Sequence, residues 1–323
     1  MCAAAWVLRA LYRVGLGGPT SRPSFTLASM TPASLRDDAP ALAWAARALG
    51  AGTVRHRELT GGKTSRMLAL TEPSGRESVL RLMTLEPWRT HGTALTARER
   101  AALEALARTD VPVPTSLALD EDGTHTGHPA HLMTLLPGRA TLPDTPGRLR
   151  AMAELLATIH ETRPAQPFRT YQSWAPPAKW EVPAWTRSPG SWRRAFDLLA
   201  EGPPEFEPTF LHRDFSHRNL LWQDEEISGV VDWVETSTGP AWLDACHAAT
   251  ALAVAADARS ARDFLAAYTA TTGRRGEQYW AVLDAVAYLP LPGGKPLFGE
   301  AAELARLDDW LVELMRPGVL TVT

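Results

Sequence analysis

The sequence predicts an α+β protein in two lobes, a small antiparallel sheet followed by a mainly helical half. Three observations point there. Residues 54–83 and 116–136 read as short apolar runs punctuated by turn residues; the chain beyond Pro137 takes helical spacing; and 323 residues are enough for about two domains or lobes. The change of period near Pro137 sets the expected boundary, with a sheet lobe over 31–137 and a helical lobe over 138–323. Gly17, Gly18, Pro19 and Pro23 mark residues 1–30 as an N-terminal extension expected to be poorly ordered.

The elements follow in order. A helix ends near Leu49. VRHREL, RMLAL and SVLRLM then read as strands, the first two joined by TGGKTS and the next pair by a turn at Glu72-Pro73-Ser74-Gly75. TARERAALEALA has an apolar stripe at helical spacing and stops at Val111-Pro112-Val113-Pro114. SLALD and AHLMTLL are strands joined across Asp122-Gly123, and Pro137-Gly138 breaks the run. Beyond it, RLRAMAELLATIHE and SWRRAFDLLA read as helices around a Pro- and Trp-rich stretch, 165–192. NLLW and ISGVVDW read as strands flanking the acidic turn Asp224-Glu225-Glu226. Four helices close the chain, near 242–256, 261–271, 278–288 and 301–315; ACHAATALAVA within the first is apolar all round and reads as buried.

Composition excludes several classes. Lys+Arg number 33 against 36 Asp+Glu, a balance that gives no electrostatic footing for nucleic acid or an anionic membrane. Cys2 and Cys246 are the only cysteines, too few for a disulfide scaffold or a multi-cysteine metal site, and they fit a cytoplasmic protein. No run of about 20 apolar residues suggests a membrane span. Arg9 and Arg13 interrupt the opening apolar stretch, so no secretion signal is expected there. The nine histidines lack a ligand-pair spacing such as HExxH, which argues against zinc.

The chemistry concentrates in FLHRDFSHRNLLWQDEEISGVVDWVETSTGPAWLD. Phosphoryl transfer from a nucleoside triphosphate demands mostly positioning and charge screening. One carboxylate must orient the acceptor hydroxyl and take its proton, which Asp214 fits. An amide oxygen and a second carboxylate must hold magnesium, which favours oxygen and few protein ligands; Asn219 and Asp232 fit. Gly62-Lys63-Thr64 is not a P-loop, because the glycine required five positions earlier is Arg57.

HRDFSHRN followed by VVDW resembles the catalytic and metal-binding segments of aminoglycoside phosphotransferase-like kinases. The resemblance, over about residues 50–320, implies a two-lobed protein-kinase-like fold, ATP (GTP is not excluded) and Mg2+, and a small-molecule hydroxyl acceptor such as an aminoglycoside, another antibiotic or a metabolite. His212, Asp214 and Asn219 match the family's His-x-Asp-x-x-x-x-Asn pattern, and Asp232 matches its metal-binding aspartate. The resemblance further implies a phosphate-covering loop containing Gly61, Gly62 and Ser65, a phosphate contact from Arg81 with Glu99 as its ion-pair partner, and an adenine-binding hinge at Met133 to Leu135. Gly239-Pro240 and Asp244 match a further family feature loosely. The sequence departs from the pattern at Ser216-His217-Arg218, at Trp233-Val234 and in carrying Arg rather than Lys at position 81. Nine residues from Asp232 to Pro240 leave no room for a protein kinase's activation segment, which favours a small acceptor over a protein.

Simpler roles are expected for several neighbours. His212 is expected to fix loop backbone, Asp244 to brace the catalytic loop, and Arg213 to pair with a local carboxylate. Glu235 is an open candidate on the acceptor side; Asp308 and Asp309 read as helix-surface charge. Trp174, Trp180 and Trp185 read as packing anchors. A nucleotide-binding protein without transferase activity, serving as sensor or scaffold, is the alternative; the set Asp214, Asn219 and Asp232 speaks against it, since a pure binder needs no proton acceptor.

Overall fold

The computed structural model describes residues 38–59, 64–294, 300–316 and 318. The extension 1–30 and the loop glycines Gly61 and Gly62 lie outside the described residues.

Alternation and β-branched or apolar content in the first lobe produce five strands: β1 (Arg55–Leu59), β2 (Arg66–Thr71), β3 (Glu77–Leu82), β4 (Ser116–Asp120) and β5 (Ala130–Thr134). They form one antiparallel sheet in the order β1-β2-β3-β5-β4. Central β3 is buried at every position from Ser78 to Leu82, as a strand covered on both faces must be. Helix α1 (Ala39–Ala48) covers one face, setting Trp44 and two alanines on Leu68, Leu70, Leu80 and Leu132. Helix α2 (Gly92–Leu106) lies between β3 and β4 in sequence and buries Leu95, Glu99, Leu103 and Leu106.

Gly138 follows the sheet with φ +102 and only 2.4 Å between its notional Cβ and Ser228 Oγ, so a side chain there has neither backbone freedom nor space. The helical lobe then comprises α3 (Pro146–Glu161), α4 (Pro189–Ala200), α5 (Trp242–Ala255), α6 (Ala258–Thr272), α7 (Gln278–Ala287) and α8 (Ala301–Leu314). Every residue of α5 from Trp242 to Val254 is buried. Its alanines let α6, α7 and α8 pack directly on it, and removing that apolar surface from water is the main stabilising term. Strands β8 (Leu220–Gln223) and β9 (Glu226–Val230) match the expected pair. Three others carried too little sequence for a period to show: β6 (Arg139–Ala140) on β8, and β7 (Thr209–Leu211) paired with β10 (Ser237–Gly239).

Two expectations need correction. Asp308 is buried, not a surface charge; it accepts from Thr186 Oγ1, the Arg187 N–H and Trp192 Nε1, and so ties the Trp-rich segment to α8. Among the described residues Arg213 forms no ion pair with a carboxylate; its guanidinium lies 3.8 Å from the centre of the Trp174 ring. Trp180 and Trp185 do pack, against Phe196 and Trp192.

Candidate active site

The loop between β7 and β8 is built around one buried carboxylate. Asp244, in the first turn of α5, accepts from the backbone N–H groups of His212 (2.8 Å) and Arg213 (2.7 Å) and from His160 Nε2 (3.2 Å). Burial works against its charge, yet these bonds outweigh that and hold its pKa below the usual carboxylate range. The two N–H bonds keep Arg213 at φ 74, a left-handed conformation that costs a non-glycine residue roughly 1–2 kcal/mol. His212 is buried and fixes backbone: Nε2 donates to the Val231 carbonyl, and Nδ1 accepts from the Asp214 N–H.

This loop brings Asp214 and Asn219 together. Asn219 Nδ2 donates to the Asp214 carbonyl (2.8 Å) and to its carboxylate Oδ2 (3.1 Å), leaving Asn219 Oδ1 without a hydrogen bond among the described residues. The Asn219 carbonyl accepts from Val231, which places Asp232 next to the loop. Asp232 takes φ 67, a second left-handed non-glycine residue, and begins a tight turn through Trp233–Glu235. The Asp214 side chain stays 36% exposed and that of Asp232 27%, so both reach solvent.

The sheet lobe supplies the other wall. Arg81 on β3 is buried; Nη1 donates to Ser65 Oγ (3.0 Å), and Nη2 lies 3.1 Å from both Glu99 Oε1 and Asp232 Oδ1. Glu99 is buried on α2 and also meets His131 Nδ1 at 2.9 Å. Removal from water pushes the Glu99 pKa up, but Arg81 and His131 outweigh it and hold the carboxyl low. Asp232 is different. Loss of solvent raises its pKa, Arg81 opposes this, and the Asp214 and Glu99 carboxylates push it further up. Its Oδ1 has Arg81 3.1 Å away as an ion-pair partner that Glu99 shares. Met133 is buried opposite Val79, and Leu135 follows β5 in the segment between the lobes.

Sequence reasoning missed His247 on α5. Its Nε2 lies 2.9 Å from Asp214 Oδ1 and its Nδ1 3.0 Å from Asp284 Oδ1 on α7. Burial disfavours the charged ring, but the two carboxylates outweigh it and hold the pKa up at about 9. A signal was present: His247 and Asp284 are titratable residues inside apolar helices, where such groups need partners. Glu235, an open candidate, is instead ion-paired with Arg169.

Residues 55–285 match the model of the phosphotransferase enzyme family, about seven-tenths of the chain. The chain belongs to that family. This phosphotransferase is also similar in fold to solved members. A thermostable variant of aminoglycoside phosphotransferase APH(4)-Ia, in ternary complex with AMP-PNP and hygromycin B, superposes with a TM-score of 0.60 at 19% identity, over 86% of this chain and 99% of that one. Macrolide 2'-phosphotransferase MphH from Brachybacterium faecium gives 0.55 at 19% identity, over 87% and 98%. Both likenesses show the two-lobed kinase-like fold. A curated relative, acyl-CoA dehydrogenase family member 10 of Mus musculus, is 29% identical over 178 residues, which are 48% of this chain. The chain spans about 16% of that relative's length. Among the described residues no helix is long and apolar enough to cross a membrane.

Proposed function

We propose that this phosphotransferase moves the γ-phosphoryl group of ATP to a hydroxyl of a small molecule, with Asp214 as the proton acceptor. The observation that carries the reading is the convergence of Asp214, Asn219 and Asp232 on one cleft beneath Arg81. Asp214 orients the acceptor hydroxyl and takes its proton as the acceptor oxygen bonds to phosphorus; the bond to the β,γ-bridging oxygen breaks and ADP leaves. Arg81, steadied by Glu99, faces the phosphates with a rigid fork, and Ser65 fixes the other arm of that fork. The nucleotide base sits against the backbone of Met133 to Leu135.

The residues fit a magnesium ion. Asp232 carries negative charge that its shared Arg81 offsets only in part, and Asn219 Oδ1 has no hydrogen bond among the described residues. Magnesium takes few protein ligands and completes its shell with phosphate and water, so one carboxylate and one amide oxygen suffice to hold it. When bound through Asp232 and Asn219, it screens charge on the phosphates.

The surroundings of Asp214 support a neutral or aromatic acceptor over a polycation. Trp174 and Tyr288 flank His247, Arg218 adds positive charge, and two of the nearby acids, Glu235 and Asp284, are engaged by Arg169 and His247. The test is a panel of hydroxyl compounds incubated with magnesium ATP and read for the mass gain of one phosphate. A phosphorylated product is the expected result. ATP binding with no transfer to any acceptor would favour a nucleotide-dependent sensor or scaffold.

A further inference from the structure

Asp214 is held from two sides. Asn219 grips Oδ2 from within its own loop. The other oxygen is gripped by His247, which no local motif requires and which arrives from a helix 33 residues away. His247 is in turn anchored: Nδ1 reaches Asp284, itself buried, and the ring is fixed between Trp174 (5.5 Å, edge-on) and Tyr288 (5.9 Å, 14° between planes). A ring so confined has one orientation, and with a carboxylate at each nitrogen both N–H groups donate. We propose that Asp284 and His247 form a positioning dyad that aims the Asp214 carboxylate at the acceptor hydroxyl, so that Asp284, remote from the reacting atoms, sets the rate of transfer.

This rests on the reading of Asp214 as proton acceptor. Given that reading, the dyad has two consequences. It fixes the Asp214 torsion, leaving the unbound lone pairs directed into the cleft. It also places a cation beside the carboxylate, so the catalytic loop keeps its charge balance before any ligand enters. The groups facing His247 come from several elements: Asp214 and His217 from the catalytic loop, Asp284 from α7, and Tyr288 just beyond it. Arg213 and Lys179 act on it indirectly, through Asp284. Burial holds His217 down at about 4, so it stays neutral through the range in which His247 titrates. Burial holds Lys179 near 8, with Asp284 opposing; its titration overlaps that of His247 and is separated by labelling histidine alone.

The test uses the full chain with 15N-labelled histidine. NMR should show His247, assigned by its loss in H247Q, protonated on both nitrogens at neutral pH. Asp284→Asn should lower its titration by one unit or more, a tenfold change in proton affinity. In parallel, ADP release from magnesium ATP is followed with water as acceptor. His247→Leu and Asp284→Asn should each cut kcat by about tenfold or more while KM for ATP stays within about twofold. His247→Gln, whose amide can still donate to Asp214, should recover part of the loss. In Asp284→Asn the alkaline fall in kcat should move to lower pH. A neutral His247 ring at pH 7.5 overturns the proposal, as does an Asp284→Asn protein with unchanged titration and kcat. Asp214→Ala separates the two claims: if it keeps turnover, the reading of Asp214 itself fails, whereas a dead Asp214→Ala beside unaffected dyad variants removes only the dyad.

Discussion

Two carboxylates face the same cleft, and the protein treats them oppositely. Asp214 receives a hydrogen bond on each oxygen and a cationic ring beside it, and its pKa is held down against burial. Asp232 has one shared arginine and two acidic neighbours, and its pKa is pushed up. The difference is instructive. A group that must accept one proton from one direction needs its geometry fixed by the protein. A group that must receive a mobile cation needs negative charge left over.

The sharpest way to break this contrast is at Asp232. Asp232→Asn should lower turnover roughly a thousandfold, and chelation of magnesium should do the same to the wild type. Yet the variant should melt no lower than the wild type, because it removes a charge that burial and two acidic neighbours disfavour while Arg81 keeps Glu99 as its partner. A lower melting point together with unchanged turnover would reverse the assignment. Next in size is Asp244, which supports the Asp214 side from below. Asp244→Ala strips a buried acceptor from two backbone N–H groups and His160, and urea unfolding should show a loss of about 3–5 kcal/mol.

The third prediction uses pH. His247 is raised to about 9 from an ordinary 6.5, so its stabilising contribution is complete below 6.5 and is lost as pH climbs through 9. The stability gap between wild type and His247→Leu should therefore shrink with rising pH, by up to roughly 3 kcal/mol. Lys179, lowered to about 8, has the opposite slope over pH 8 to 10.5, so the gap is read between pH 6.5 and 8, below its titration. The smallest effect is expected at Glu99. Glu99→Gln loosens Arg81 and should weaken ATP binding about tenfold, read by calorimetry, while the His247 titration stays where it was.

Legibility in the sequence followed locality. β3 was expected over 78–83 and runs 77–82, because a buried strand between a Pro-Gly turn and a helix leaves little choice. His212, Asp214 and Asn219 lie within eight residues, so one loop's spacing brings them together. Glu99 was reachable through the family resemblance, which implies an acid in the helix after β3 as the partner of Arg81. His247 and Asp284 depend on how α5 and α7 pack, which no spacing rule encodes. The left-handed backbone at Arg213 and Asp232 was equally hidden, since tertiary bonds to Asp244 and the turn after Asp232 impose it against the residues' own preference. Asp308 misled because a paired Asp-Asp on a helix resembles surface, while its Thr186, Arg187 and Trp192 partners sit more than 100 residues earlier.

The most direct measurement pairs two readings on one variant: ATP affinity and phosphoryl transfer in Asp214→Ala. The account predicts affinity within a few-fold of wild type and transfer reduced by about a thousandfold or more, with the folded state intact. Transfer at the wild-type rate, with ATP still bound, would contradict it.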